Sequence, residues 1–289
     1  MTAFNSTRRL RGISLVTVGV LIISFDALLV RLAAVDGWNV AFWRGLFMAV
    51  AMYPFTRRQG DAGAKGRPGR KVVWLTATAL ALSSLSLVLA FTLTQAANAV
   101  VILSSAPLFA AILSQLFLSE KCPLRTWLSI FVCIGGVIWV MSGSIGNSNY
   151  IGDILAVFCA LFVGAYLTLF RRYPEMSRTK AIAHGGLLMA LITLPLATPL
   201  QLPWSSYGWL AISGLIQMPL AIFLMTIGTR FLPAAEVSLF LLLETVMAPI
   251  WVWLVLGEVP PAKTLAGGGL ILLTLILHSL ASYSQAKTD

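Results

Sequence analysis

Charged side chains are scarce in this sequence. They make up 10% of its 289 residues, whereas hydrophobic residues make up 58% and the mean hydropathy is +0.90. A soluble globular domain carries about 25% charged residues, because its surface has to be hydrated. The chain therefore cannot cover itself with a surface that water solvates, and we expect lipid to surround most of it. This excludes an ordinary cytosolic enzyme, a disordered linker protein and a disulfide scaffold.

Motifs of catalysis and of cofactor binding are also missing. The sequence has no HExxH, GxSxG or P-loop motif, and its two histidines and three cysteines form no cluster with metal-ligand spacing. Cys122, Cys133 and Cys159 are scattered mostly through apolar runs, which is typical of small buried hydrophobic residues. We therefore expect no enzyme activity, no catalytic residue, no cofactor and no metal site.

Long apolar runs are what the chain has in abundance. A helix that crosses a bilayer needs about 20 mostly apolar residues, whereas barrel strands would be about 10 residues long with alternating polarity. Turn-rich or charged breaks separate runs of helical length. We therefore predict an all-α polytopic membrane protein with ten transmembrane helices, at residues 12–34, 38–56, 72–94, 97–118, 125–142, 151–171, 180–200, 206–229, 232–256 and 261–283.

The basic residues predict the orientation of these spans. A net charge of +10 would also suit a protein that binds nucleic acid, but in a membrane protein Lys and Arg collect in the cytoplasmic loops. With the N-terminus in the cytoplasm, 17 of the 20 basic residues fall on the cytoplasmic side, and a miscounted helix would scramble this pattern. We therefore predict cytoplasmic N- and C-termini and no nucleic-acid partner.

An internal repeat divides the chain into two halves. At an offset of 138 residues, Ala96–Thr126 aligns without a gap with Ala234–Thr264, and ten of 31 positions are identical, including a glutamate, a proline and a threonine. The halves 1–142 and 143–289 then contain five spans each, and an odd number makes them enter the membrane in opposite directions. The sequence therefore predicts two inverted five-helix repeats, an arrangement found in many transporters.

Short motifs follow one another in a fixed order along these repeats. They are Ala96-Ala97-Asn98-Ala99, Ser105-Ala106-Pro107-Leu108-Phe109, Leu118-Ser119-Glu120-Lys121, Gly152-Asp153-Ile154-Leu155-Ala156, Pro233-Ala234-Ala235, Leu243-Glu244 and Leu256-Gly257-Glu258. In this order they resemble EamA-type members of the drug/metabolite transporter superfamily, over nearly the whole chain. The resemblance implies a ten-helix carrier of the bacterial inner membrane that works by alternating access, often as an exporter. Ser24-Phe25 and Glu244-Thr245 depart from the family's common Trp-Gly and Glu-Pro pairs, so the resemblance does not fix the substrate.

Two ionisable residues are predicted at similar depths inside the membrane. Asp26 lies in the first span and Arg44 in the antiparallel second span, and a rise of about 1.5 Å per residue brings them close to one level. A charge at bilayer depth costs about 2.5–3.5 kcal/mol on insertion scales, so such groups face a partner or a cavity. The two residues are therefore either a structural ion pair or a charged site for substrate or proton.

Glu244 is predicted near the middle of the ninth span. Pro249 cannot donate a hydrogen bond to the carbonyl of Thr245, which leaves an acceptor beside the carboxyl. Such a patch suits an ammonium group or a proton, whereas the alternative is a protonated glutamate that bonds to a neighbouring helix. Further polar and aromatic residues could line the same cavity, and the predicted substrate-binding set is Asp26, Arg44, Ser83, Gln95, Asn98, Tyr166, Gln217 and Glu244.

Together these features favour a secondary active transporter of a small amphipathic or zwitterionic, amino-acid-like metabolite, with export as the expected direction. One alternative is a carrier of organic cations and drugs, or of nucleotide-type metabolites, on the same fold. Another is a membrane protein without transport activity, such as a scramblase. The expected partners are the lipid bilayer and the small-molecule substrate, with protons as a candidate coupling ion and a homodimer as a candidate assembly.

Overall fold

The protein is a bundle of helices. A computed structural model describes residues 2–56, 69–94, 96–119, 123–141 and 150–257, together with separate positions between 262 and 277. Within these ranges the chain forms α-helices and one π-helical segment, and no strand. The prediction of an all-α protein is therefore confirmed, whereas the count of ten spans and the inverted repeat stay predictions.

The helices follow one another closely in the described ranges. They are α1 (Thr2–Ile23), α2 (Asp26–Ala33), α3 (Gly37–Thr56), α4 (Arg70–Leu93), α5 (Ala96–Leu103), α6 (Ala106–Leu118), α7 (Leu124–Met141), α8 (Tyr150–Arg172), α9 (Arg178–Thr193), α10 (Trp204–Ala211), α11 (Met218–Gly228), α12 (Ala234–Phe240) and α13 (Leu242–Leu256). The π-helical segment Ile212–Gln217 joins α10 to α11.

In the part of the chain that the structure describes, five helical segments are long and apolar enough to cross a membrane. They are Arg8–Ala33, Arg70–Leu93, Ile151–Arg172, Trp204–Gly228 and Glu236–Leu256. Large apolar side chains also cover the outside of the bundle; Leu116 is 70% exposed and Leu124 is 75% exposed. Exposed apolar surface of this extent is unfavourable in water and marks a surface that lipid or a partner covers.

Among the predicted spans that the structure describes, three are interrupted by breaks between helices. The first is broken at Ser24 and Phe25, between α1 and α2, and the fourth at Ser104 and Ser105, between α5 and α6. The hydroxyls of Ser24 and Ser104 donate to carbonyls of the preceding turn, a contact that bends helices. The ninth span is interrupted at Leu241, between α12 and α13, and the helix continues through Pro249.

Glycine pairs bring the helix backbones close together. A Cβ atom added to Gly186 of α9 would lie 2.5 Å from the carbonyl oxygen of Gly45 in α3, and one added to Gly45 would lie 2.6 Å from that of Gly186. A Cβ on Gly164 of α8 would lie 2.8 Å from the backbone nitrogen of Ala110 in α6. Because lipid offers no hydrophobic drive between helices, close packing of this kind is what holds a membrane bundle together.

Basic side chains link the helices at one end of the bundle. The Nε of Arg178 donates to the carbonyl oxygen of Thr226 at 2.8 Å, and so satisfies one of the free carbonyls in the last turn of α11. At the same end, Arg9 forms a 2.7 Å ion pair with Glu236, which joins α1 to α12. At that end of the bundle, these contacts join helices that are remote in sequence.

Candidate functional site

Asp26 and Arg44 form a fully buried ion pair. The Nη1 and Nη2 atoms of Arg44 donate to the two carboxyl oxygens of Asp26 at 3.0 and 2.6 Å, and both side chains have no solvent exposure. Asp26 lies in the first turn of α2, where the positive end of the helix dipole also favours a carboxylate. The helix break at Ser24 and Phe25 therefore gives the carboxylate a favourable place inside the bundle, and Arg44 of α3 neutralises it.

Glu244 is buried without a comparable partner. Its side chain is 1% exposed. Neither of its carboxyl oxygens forms a hydrogen bond with any described residue. The carboxyl lies in the first turn of α13 and within electrostatic reach of both Asp26 and Arg44. A buried polar group without a hydrogen bond costs free energy. This carboxyl is therefore suited to bind a proton or a ligand group, since no described residue supplies it with a donor.

The three helix breaks meet around this carboxyl. The hydroxyls of Ser104, at the α5–α6 break, and of Thr245, beside Glu244, are 2.6 Å apart. The indole nitrogen of Trp251 in α13 donates to the Ser24 hydroxyl at 2.9 Å. Its ring stacks on Phe25 with a centroid distance of 4.5 Å. Two short polar contacts and one aromatic stack therefore connect α13 to both of the other broken helices.

Gln217 supports the break in the first span. Its Nε2 atom donates to the carbonyl oxygens of Ile22 and Ile23, each at 3.2 Å. These carbonyls belong to the last turn of α1, where the break removes the regular helical hydrogen bonds; the Ile22 carbonyl also accepts a long bond of 3.4 Å from the backbone nitrogen of Phe25. The Oε1 atom of Gln217 is buried and has no hydrogen-bond partner among the described residues. The Gln217 amide thus stabilises the end of α1 through its nitrogen, while its oxygen stays available to accept a hydrogen bond.

The remaining predicted site residues lie in different settings. Tyr166 of α8 is 4% exposed and within electrostatic reach of Glu244, so it belongs to the central group. Ser83 of α4 is also buried, but its hydroxyl donates to the carbonyl of Leu80 in its own helix at 3.0 Å. Gln95 and the side chain of Asn98 lie outside the described residues.

Three central residues escaped prediction from the sequence. Trp251 and Phe25 form the aromatic stack, and Cys159 of α8 lies within electrostatic reach of Glu244 and Asp26. Helical spacing offered a signal for two of them, because Trp251 follows Glu244 by seven residues and Cys159 precedes Tyr166 by seven. Residues seven apart lie two turns along one helix face. Phe25 stood out in the sequence only as part of the Ser24-Phe25 departure from the family's common pair, which assigned it no contact.

Ionisable groups buried where discontinuous helices meet are the hallmark of a membrane carrier. The model of the EamA-like transporter family matches residues 10–142 and 150–280. The chain therefore belongs to the EamA-like transporter family, and the resemblance seen in its motifs is confirmed. Members of this family are membrane proteins and transporters, so the expectation that the chain is not an enzyme agrees with its family.

Individual relatives are distant in sequence. The pseudopaline exporter CntI of Pseudomonas aeruginosa is 24% identical over 257 residues, which cover 86% of this chain and 87% of that protein. The uncharacterized transporter YdfC of Bacillus subtilis is 28% identical over 175 residues, which cover 58% of this chain and 57% of that protein. A crystal structure of another protein matches with a TM-score of 0.76 at 15% identity, and covers 96% of this chain and 98% of that one. At such identity the match shows a shared fold.

Proposed function

We propose that the protein is a secondary active transporter that exports a small zwitterionic or amphipathic, amino-acid-like metabolite across the bacterial inner membrane by alternating access. One observation carries the proposal above all others. Glu244 is fully enclosed, has no hydrogen-bond partner among the described residues and lies near a charged Asp26–Arg44 pair. If this carboxyl were only structural, a neighbouring protein group would donate a hydrogen bond to it. A carboxyl that binds a transported group instead needs its oxygens free to accept hydrogen bonds from that group.

The charges in the centre suit a zwitterion. Glu244 would accept hydrogen bonds from a substrate ammonium group, and Arg44 would share its guanidinium between Asp26 and a substrate carboxylate. Arg presents five donors in a rigid fork, and only two of them are occupied by Asp26. Tyr166, Phe25 and Trp251 would supply apolar contacts to the side chain of the metabolite. In the absence of substrate, a proton on Glu244 would remove its charge, which makes protons the proposed coupling ion.

The packing of the helices supports an inverted repeat divided near residues 142 and 143. In such a repeat the first span corresponds to the sixth and the third to the eighth, so α1 corresponds to α8 and α4 to α11. The contact of α1 with α11 is then equivalent to the contact of α8 with α4. Both pairs are among the main helix contacts, and α3 packs on α9, its own counterpart. Two halves related in this way can exchange conformations, so that the site opens first to one side and then to the other. The name of the exporter CntI, a relative, supports export as the direction.

Efflux from proteoliposomes tests the proposal. Vesicles with the purified protein are loaded with a mixture of amino acids and related metabolites, and the compounds that leave are identified by mass spectrometry at several pH values. We expect a subset of zwitterionic compounds to leave and their flux to depend on pH. Glu244→Gln keeps the shape of the side chain but removes its titration, so net transport should be lost or become independent of pH. Glu175→Gln, in an exposed loop, is the matched control and should transport normally.

Other outcomes would contradict the proposal in distinct ways. Unchanged flux and unchanged pH dependence in Glu244→Gln would show that this glutamate only fills space. Export of organic cations or of nucleotides instead of zwitterions would assign the alternative substrate classes. Movement of fluorescent lipids between leaflets without solute flux would assign a scramblase.

A further inference from the structure

A second polar site lies at one end of the bundle, where α3 ends and α4 and α9 begin. A pocket of about 470 Å³ is lined there by residues that include Tyr53, Thr56, Arg70, Trp74, Lys180 and His184. Tyr53 follows Arg44 by nine residues, which corresponds to about 13 Å along the axis of α3. The pocket is therefore separate from the central carboxyls, and the proposed transport does not use it.

The lining of this pocket favours an anion. It contains the basic side chains of Arg70 and Lys180 and the imidazole of His184, and no acidic residue is among the described residues that line it. Arg70 lies in the first turn of α4, whose N-terminus has no side-chain cap and adds the positive end of a helix dipole. The Nδ1 atom of His184 is buried and has no hydrogen-bond partner among the described residues. Basic groups from two helices and a long helix N-terminus thus converge on one cavity.

The aromatic side chains place this pocket at the surface of the membrane. Tyr53 is 59% exposed and Trp74 is 37% exposed, and Trp74 stacks on His184 with a centroid distance of 4.6 Å. Tyr and Trp are enriched where the hydrocarbon meets the lipid headgroups. Arg70 is also the first residue of an apolar helix long enough to span the bilayer. The basic groups therefore lie at headgroup depth, beside aromatic rings that lipid can contact.

We propose that this pocket binds the phosphate group of an anionic phospholipid. Arg70 and Lys180 donate charge-assisted hydrogen bonds to the phosphate oxygens, while Trp74 and Tyr53 pack against the glycerol and the first carbons of the acyl chains. Basic pockets between membrane helices are suited to acidic headgroups in general. A phosphate ion from solution offers the same oxygens, but it would make no use of the exposed aromatic rings.

Thermal unfolding of the purified full-length protein in detergent tests this site. Phosphatidylglycerol, phosphatidylcholine and inorganic phosphate are titrated separately, and native mass spectrometry counts the lipids that stay bound. We expect phosphatidylglycerol alone to raise the unfolding temperature and to saturate. Arg70→Gln and Lys180→Gln should each weaken its apparent affinity by about tenfold, because each removes a charge-assisted hydrogen bond to the phosphate. Lys71→Gln removes the same charge one residue away, on an exposed side chain outside the pocket that makes no contact with the bound phosphate. Water and salt screen such a charge, so the affinity should stay within about twofold.

The controls decide between the sources of the anion. An equal loss of affinity in Lys71→Gln would show unspecific attraction of acidic lipid to a basic surface, and would overturn the proposal. Stabilisation by inorganic phosphate that Arg70→Gln removes would assign the pocket to a free anion, which also overturns it. If Arg70→Gln does not fold, the same comparison is made between Lys180→Gln and Lys71→Gln, and an unchanged number of bound lipids in Lys180→Gln would refute the site.

Discussion

The buried pair between Asp26 and Arg44 gives a quantitative prediction for stability. Both side chains are fully buried and joined by two hydrogen bonds, so removal of one partner leaves a charge that water cannot reach. Breaking a buried pair in this way costs about 3–5 kcal/mol. Arg44→Gln should lie at the upper end, because it leaves the carboxyls of Asp26 and Glu244 near each other without a cation. Asp26→Asn should lie at the lower end, because Glu244 is within electrostatic reach of Arg44 and can release its proton to balance that charge.

A variant with both residues replaced shows whether Asp26 and Arg44 stabilise the protein as a pair or each by itself. Asp26→Asn with Arg44→Gln leaves neither charge, and its amides can bond to each other, so we expect it to recover at least about half of the summed loss. Unfolding is measured by titrating sodium dodecyl sulfate into dodecyl maltoside micelles and following the fluorescence of the nine tryptophans. Arg9→Gln is the control, because it breaks a pair whose side chains keep 24% and 11% exposure. Water can still reach the carboxylate that remains, so the loss should be smaller than in Asp26→Asn or Arg44→Gln. Strictly additive single losses, or losses no larger than the control, would refute the reasoning.

Two further predictions concern packing and orientation. Gly186→Ala would place its Cβ 2.5 Å from the carbonyl oxygen of Gly45, so we expect a loss of about 1–3 kcal/mol in the same unfolding assay. A Cβ on Gly208 meets no atom within 4 Å, so the control Gly208→Ala should be neutral or stabilise by up to about 1 kcal/mol. Equal changes in stability in Gly186→Ala and Gly208→Ala would contradict the close approach of α3 and α9. In a chain without native cysteines, Leu200→Cys should react with an impermeant thiol reagent in intact cells, and Glu175→Cys only after permeabilisation. The reverse labelling would contradict the cytoplasmic termini.

Properties that depend on single stretches of chain were predictable from the sequence. The scarcity of charge excludes a surface in water, and the length of the apolar runs predicts helices, because both depend only on local composition. The depth of Asp26 and Arg44 followed in the same way, since the rise of a helix converts position in the chain into distance. The order of short motifs identified the family, which the family comparison confirms.

Only the tertiary structure decided which polar groups have partners. Gln217 donates to carbonyls 195 and 194 residues away, and Trp251 bonds to Ser24 across 227 residues. Contacts of this kind depend on how each helix is rotated and shifted against its neighbours, and hydropathy carries no information about either. For the same reason the sequence predicted a freed carbonyl at Thr245 but not the helix break at Leu241, nor that both oxygens of Glu244 lack a partner among the described residues. Composition thus determined that the chain enters a membrane, and the packing of remote helices determined which of its buried ionisable groups has no hydrogen-bond partner among the described residues.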